Sequence, residues 1–163
     1  MDGAVRVLAL RYFSGWLESG ELPMAAAELL ADGYDSAALC DLAGRARRED
    51  VAELESLLRE AVAESGLRCP DVTEAGSWRL ARLAGQLEAG AINPGEFCEA
   101  VGAGPETLGG GAEDRLFAVL AEYCDCCGPQ AGTPAYREWG RRVREAASEL
   151  AAGPAEAERP PGG

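Results

Sequence analysis

Residues 13–22 read FSGWLESGEL, and seventy positions further on residues 83–92 read LAGQLEAGAI. Four positions agree without a gap: Gly15 with Gly85, Leu17 with Leu87, Glu18 with Glu88 and Gly20 with Gly90. In each copy, apolar residues at helical spacing lead to a glycine. A hydrophobic residue then occupies the turn (Leu22 or Ile92), and a proline opens the next helix (Pro23 or Pro94). Glycine tolerates the left-handed backbone that closes a helix, and proline lacks only an N–H that the first turn would leave unused. The pattern predicts two related helical hairpins packed about a pseudo-two-fold, an internal duplication. Glycine-ended helices followed by proline-started ones also arise independently, so convergence is the alternative.

Working outward, apolar residues recur every three or four positions, and no segment sustains the period-two alternation of a strand. The chain reads as all-α, a helical bundle of about seven to eight helices containing the two related hairpins. A first helix is expected from about Ala4 to Ser19, stopped by Gly20, and a second from Pro23 to Gly33. Asp35 is expected to cap a short third helix, and a long fourth runs from about Asp50 to Gly66. RCPD (residues 68–71) reads as a linker, because its proline cannot continue a helix. Thr73 then caps a helix through Ala89, ended by Gly90. NPGE supplies an Asn cap with Glu three residues later, a capping box. Residues 102–111 read as loop, 112–124 as helix and 124–132 as loop, and Thr133–Pro134 begins a final helix to about Ala151. The expected organisation is one all-α domain over residues 1–151, in halves 4–67 and 71–151, with a disordered tail from 152 to 163.

The chain has 163 residues, is 47% hydrophobic and carries a net charge of −13 with no histidine. That size accommodates one compact domain or two small helical units. The charge repels nucleic acid and anionic membrane surfaces, and it makes a basic protein the natural partner. Every positive side chain is arginine, which together with abundant Ala, Gly and Pro points to a GC-rich genome. Arg6 and Arg11 interrupt the apolar start, so it fails as a signal peptide, and no apolar run reaches the ~18 residues of a membrane helix. A cytoplasmic location follows as an expectation, with the six cysteines as free thiols or metal ligands.

The stretch WLESGELPMAAAELLADGYDSAALCDLAG, the second LEAGAINPGEF and the C-terminal REAASEL together resemble a family of small all-helical actinobacterial proteins. The resemblance spans most of residues 5–151. Its motifs are caps and turns instead of reactive groups, so it implies the fold and the GC-rich origin, with no activity to carry over. The loop with three cysteines departs from the family pattern.

That loop, EYCDCCGP, places Cys124, Cys126 and Cys127 together, and Cys40, Cys69 or Cys98 could complete a zinc or copper(I) set. Structural zinc prefers two separated Cys-x₂₋₄-Cys knuckles, and acidic neighbours such as Asp125 raise thiol pKa values. Inert thiols are the expectation, and a metal-binding or redox-sensing protein is the alternative function. Cys40 and Cys98 read as small core residues. Catalysis lacks parts: without His or Lys, Ser-His-Asp and Cys-His chemistry are excluded, and the GGG at 109–111 has no strand before it or lysine after it. No catalytic residue and no cofactor are assigned. ELLADGYDSAALCDLAGRARR has the outline of a helix-turn-helix, but its second helix would offer Ser, Ala, Cys and Asp where base readout needs Arg, Asn or Gln.

The fourth helix carries the candidate partner surface. Val51, Leu54, Leu58, Ala61 and Val62 form its apolar stripe, with Glu49, Glu53, Ser56, Glu60 and Glu64 opposite. Like charges four apart (Glu49 with Glu53, Glu60 with Glu64) each cost roughly 0.2–0.5 kcal/mol. Selection for stability alone would relieve that cost with an arginine. Glu49, Glu53, Glu60 and Glu64 are therefore the expected partner-binding residues, although a merely solvated face has the same pattern. In the last helix Tyr136, Trp139, Val143, Ala146 or Ala147, and Leu150 make a core-facing stripe. Together these features predict a non-catalytic acidic protein-interaction module, of immunity or antitoxin type.

Overall fold

The computed structural model describes residues 3–102, 111–123 and 128–152, with the backbone alone for 151 and 152. The cysteine cluster 124–127, most of the 102–111 loop and the tail from 153 lie outside the described residues. Eight α-helices and no strand occur among the described residues: α1 (Gly3–Phe13), α2 (Leu22–Ala31), α3 (Ala37–Ala43), α4 (Val51–Glu64), α5 (Val72–Glu88), α6 (Pro94–Gly102), α7 (Ala112–Leu120) and α8 (Pro134–Ala152). The chain divides into two compact units, Met1–Gly76 and Ser77–Gly163. The division falls inside α5, beyond the RCPD segment.

In the first unit α2 packs on α3, α3 on α4, and α1 on both α2 and α4. Its core joins Val5, Leu8 and Ala9 of α1, Leu22 and Ala26 of α2, Leu39 and Leu42 of α3, and Leu54, Leu58, Ala61 and Val62 of α4. The α4 stripe is therefore buried as its spacing requires, except that Val51 at the helix start is half exposed. Asp50 precedes the helix and accepts from the amides of Ala52 and Glu53, so α4 begins at an N-cap. Ser36 caps α3 where Asp35 was expected, its hydroxyl accepting from the Leu39 amide at 3.2 Å. In the second unit α6 and α7 pack on α8. Phe97, Leu116, Leu120, Trp139, Val143 and Ala147 are buried there, and Tyr136, Ala146 and Leu150 only partly. Asp71 caps α5 through the Glu74 amide at 2.8 Å, in place of Thr73.

The first helix stops six residues earlier than its apolar spacing predicts. Gly15 adopts φ 75°, its amide reaches Tyr12 O at 3.0 Å and the Trp16 amide reaches Arg11 O at 2.9 Å. This is the paired closure that absorbs orphan helix carbonyls. The counterpart in the second unit is Gly90 (φ 71°), with its amide on Leu87 O and the Ala91 amide on Gln86 O. Gly85, its match by sequence identity, sits inside α5 with open space where a Cβ would be.

Local structure thus pairs the two halves at a spacing of 75, five residues beyond the spacing of the identities. Gly15 matches Gly90, Gly20 matches Gly95, and the buried Leu22 matches Phe97. Glu21 accepts from the Glu18 amide at 2.9 Å, as Glu96 does from the Asn93 amide at 2.8 Å. The starts of α3 and α7 keep the same spacing. The stripe Leu54, Leu58, Ala61 and Val62 recurs in α8 as Trp139, Val143, Ala146 and Ala147, displaced by ten more residues of connection. Each unit runs through the same sequence of helix, capped turn and three further helices.

Candidate functional site

Charge is unevenly distributed. From Tyr12 to Gly44 the chain carries Glu18, Glu21, Glu28, Asp32, Asp35 and Asp41 and no arginine. The first unit has seven arginines against fifteen acids, a net −8, and the second has eight against thirteen, a net −5. Among the described residues, four of the first unit's seven arginines are held in ion pairs. Arg45 pairs with Glu53 at 2.8 Å, Arg59 with Glu55 at 2.7 Å, and Arg6 and Arg68 both with Glu74.

Of the four acids expected on the α4 surface, Glu49 lies in the turn before α4, its carboxylate accepting from the Ala46 amide at 3.4 Å. The helical repulsion between Glu49 and Glu53 therefore does not arise, and Glu53 is neutralised by Arg45. Glu64 reaches across to α3, where its Oε2 accepts from the Ser36 hydroxyl and from the Ala38 amide at 3.2 Å. The Ser36 hydroxyl, then the Ala38 amide, hold the Glu64 carboxyl below its ordinary pKa. Among the described residues, Glu60 alone of the four is exposed with neither an ion pair nor a hydrogen bond to its carboxylate. The structure does not bring the four together as one face.

It does place Glu64 on a cavity of about 340 Å³ between α1, the α2–α3 turn and the end of α4. Val5, Leu39 and Ala61 form its apolar floor, Asp32, Asp35 and Glu64 its exposed rim, and Tyr34 a half-buried wall. The turn is set by the closure of α2, where the Tyr34 amide reaches Leu29 O at 3.0 Å. The Ser36 cap then fixes the start of α3. Asp32 and Asp35 lie in a turn, where helical periodicity assigns no face. Their one signal in the sequence is the absence of arginine from residues 12–44.

No family model, curated protein or solved structure matches this chain. Among the described residues no three acidic or thiol side chains are grouped to hold a metal ion. The rim carboxylates are thus spread around an opening instead of converging on a point. Cys40 is exposed, contrary to the expected core position, and Cys69 and Cys98 are half-buried. Burial raises the Cys69 thiol pKa, with Arg59 partly opposing. A thiol held protonated is a poor nucleophile and a poor ligand. The cation of Arg59 lies 4.6 Å from the centre of the Phe13 ring and donates to Glu55, a packed surface cluster. In the second unit the buried Arg79 donates to Ala100 O at 2.8 Å, near the end of α6. A cation there complements the helix dipole.

Proposed function

We propose that the protein is a non-catalytic acidic interaction module that binds a basic protein, in the manner of an immunity or antitoxin protein, through the cavity end of its first unit. The observation that carries this is the cavity itself, with an apolar floor and three acids on its rim, two of which (Asp32 and Asp35) belong to a 33-residue run that has no positive charge. The arginines of the α3–α4 turn (Arg45, Arg47, Arg48) do not cancel it. They sit before the start of α4, whereas Glu64 ends it, a helix length of about 20 Å. Screening at physiological salt acts over about 8 Å, so the two ends present separate fields. Such a field speeds encounter with a basic partner and rejects acidic ones.

The test is calorimetric titration with an arginine-rich nonapeptide at low and physiological salt. Binding that weakens with salt and falls about tenfold in Asp32→Arg/Glu60→Arg supports the reading. Affinity indifferent to both salt and charge reversal overturns it.

A further inference from the structure

The cavity asks for more than a diffuse positive charge. Its floor of Val5, Leu39 and Ala61 is apolar, while its acids stand only at the rim. A hydrated cation would forfeit water against that floor, and a metal ion would find no converging ligand set. A long aliphatic stem ending in a broad, planar, weakly hydrated cation suits both parts. The stem lies on the apolar residues and the head spans separated carboxylates. The volume of about 340 Å³ lies at the small end of binding cavities, enough for one side chain and too little for a folded element. Tyr34 on the wall adds an aromatic surface on which a guanidinium stacks. Glu64 is fixed in place by Ser36 and Ala38, so it needs no ordering on binding.

We infer that this cavity receives a single arginine side chain of the basic partner, with the guanidinium among Asp32, Asp35 and Glu64 and the stem against Val5, Leu39 and Ala61. The inference rests on the proposed acidic-module reading and narrows it from a charged surface to a one-residue receptor. Arginine is favoured over lysine because five donors in a fixed fork can serve carboxylates that do not converge, whereas an ammonium is a compact, strongly hydrated point.

The probes are three acetylated, amidated glycine-serine nonapeptides that differ only at the central residue: arginine, lysine or citrulline. Each is titrated into the full ¹⁵N-labelled chain while backbone amide shifts are followed. The arginine peptide is expected to move the amides of residues 33–39 and 61–65, and to bind several-fold more tightly than the lysine peptide. The citrulline peptide, isosteric but neutral, is expected to leave them in place. Asp32→Asn/Asp35→Asn should weaken the arginine peptide about tenfold, the loss of charged hydrogen bonds. Glu28→Gln/Asp41→Asn removes the same charge outside the cavity and should change it less than about threefold. Unchanged amide dispersion in both variants shows that the fold is intact. Equal weakening by the two double variants, lysine binding as well as arginine, or shifts confined to residues outside the cavity would each overturn the receptor, while leaving the broader acidic module standing. Failure of the single-arginine peptide to bind at any salt concentration would overturn the receptor, and failure of the arginine-rich nonapeptide as well would overturn both.

Discussion

Replacing Trp139 by phenylalanine measures what holds the second unit together. The indole is 1% exposed, its Nε1 donates to the Val119 carbonyl at 3.0 Å, and its ring stacks on Tyr123 at 4.7 Å and 21°. Phenylalanine keeps an aromatic face toward Tyr123 but deletes the donor and one fused ring. The hydrogen bond contributes about 0.5–1.5 kcal/mol. The lower half applies, because the Val119 carbonyl still accepts from the Glu122 amide at 3.3 Å and is not orphaned. The missing ring atoms remove buried contacts and leave a partly collapsed void, roughly 1.5–2 kcal/mol more. The expected cost of Trp139→Phe is therefore about 2–3 kcal/mol, against about 3–5 for Trp139→Ala. Urea denaturation followed by circular dichroism at 222 nm reads both, with Tyr123→Phe as a control that keeps the stacked ring. A loss under about 1 kcal/mol in Trp139→Phe, or equal losses in Phe and Ala, would refute this packing and this hydrogen bond.

The cavity's framework yields two further outcomes. Ser36→Ala removes the α3 cap and should cost about 1 kcal/mol in the same denaturation experiment; an unchanged midpoint would mean that the hydroxyl does not serve Leu39. Glu64 has its folded-state pKa depressed below the ordinary 4.5 by Ser36 and Ala38, so its stabilisation is present above about pH 4.5 and fades as pH falls through the folded value. Wild type should therefore melt above Glu64→Gln at pH 7, with the gap closing towards pH 3. A gap that persists or widens on acidification would reverse the assignment.

Most of the architecture was legible because it is written in caps and stripes. The Asn93–Glu96 capping box and the stripe Leu54, Leu58, Ala61 and Val62 appear where spacing placed them. The repeat was visible but in the wrong register. Identity aligns Gly15 with Gly85, yet one glycine closes a helix and the other lies within one. The neighbouring apolar residues make the difference. Gly85 sits within a buried series, Leu80, Leu83, Ala84 and Leu87, and a glycine on the open side costs at most about 1 kcal/mol relative to alanine. Beyond Gly15, burying Leu17 and capping the next turn with Glu21 require the chain to leave the helix. Tertiary burial, which single-position matching does not contain, selects between the two.

The acidic surface was legible as composition and misplaced as geometry, because a helical wheel sees only the helix's own neighbours. Glu64 looked like one more solvated acid on α4, but its partner Ser36 is 28 residues away in sequence, and α3 must be docked before the contact exists. Glu53 was likewise taken up by Arg45 from the preceding turn. The same docking exposes what periodicity ignored. By bringing the start of α3 against the end of α4, it places Glu64 on the same cavity rim as Asp32 and Asp35 of the α2–α3 turn, over side chains of α1 and α4 that are themselves buried. A carboxylate that caps a helix and also edges a cavity is held still by the fold, so its charge is already positioned when a cation arrives. On the proposed reading, recognition by this unit depends on the α3–α4 docking as much as on net charge. Loosening that docking should reduce binding even where every acidic residue is retained.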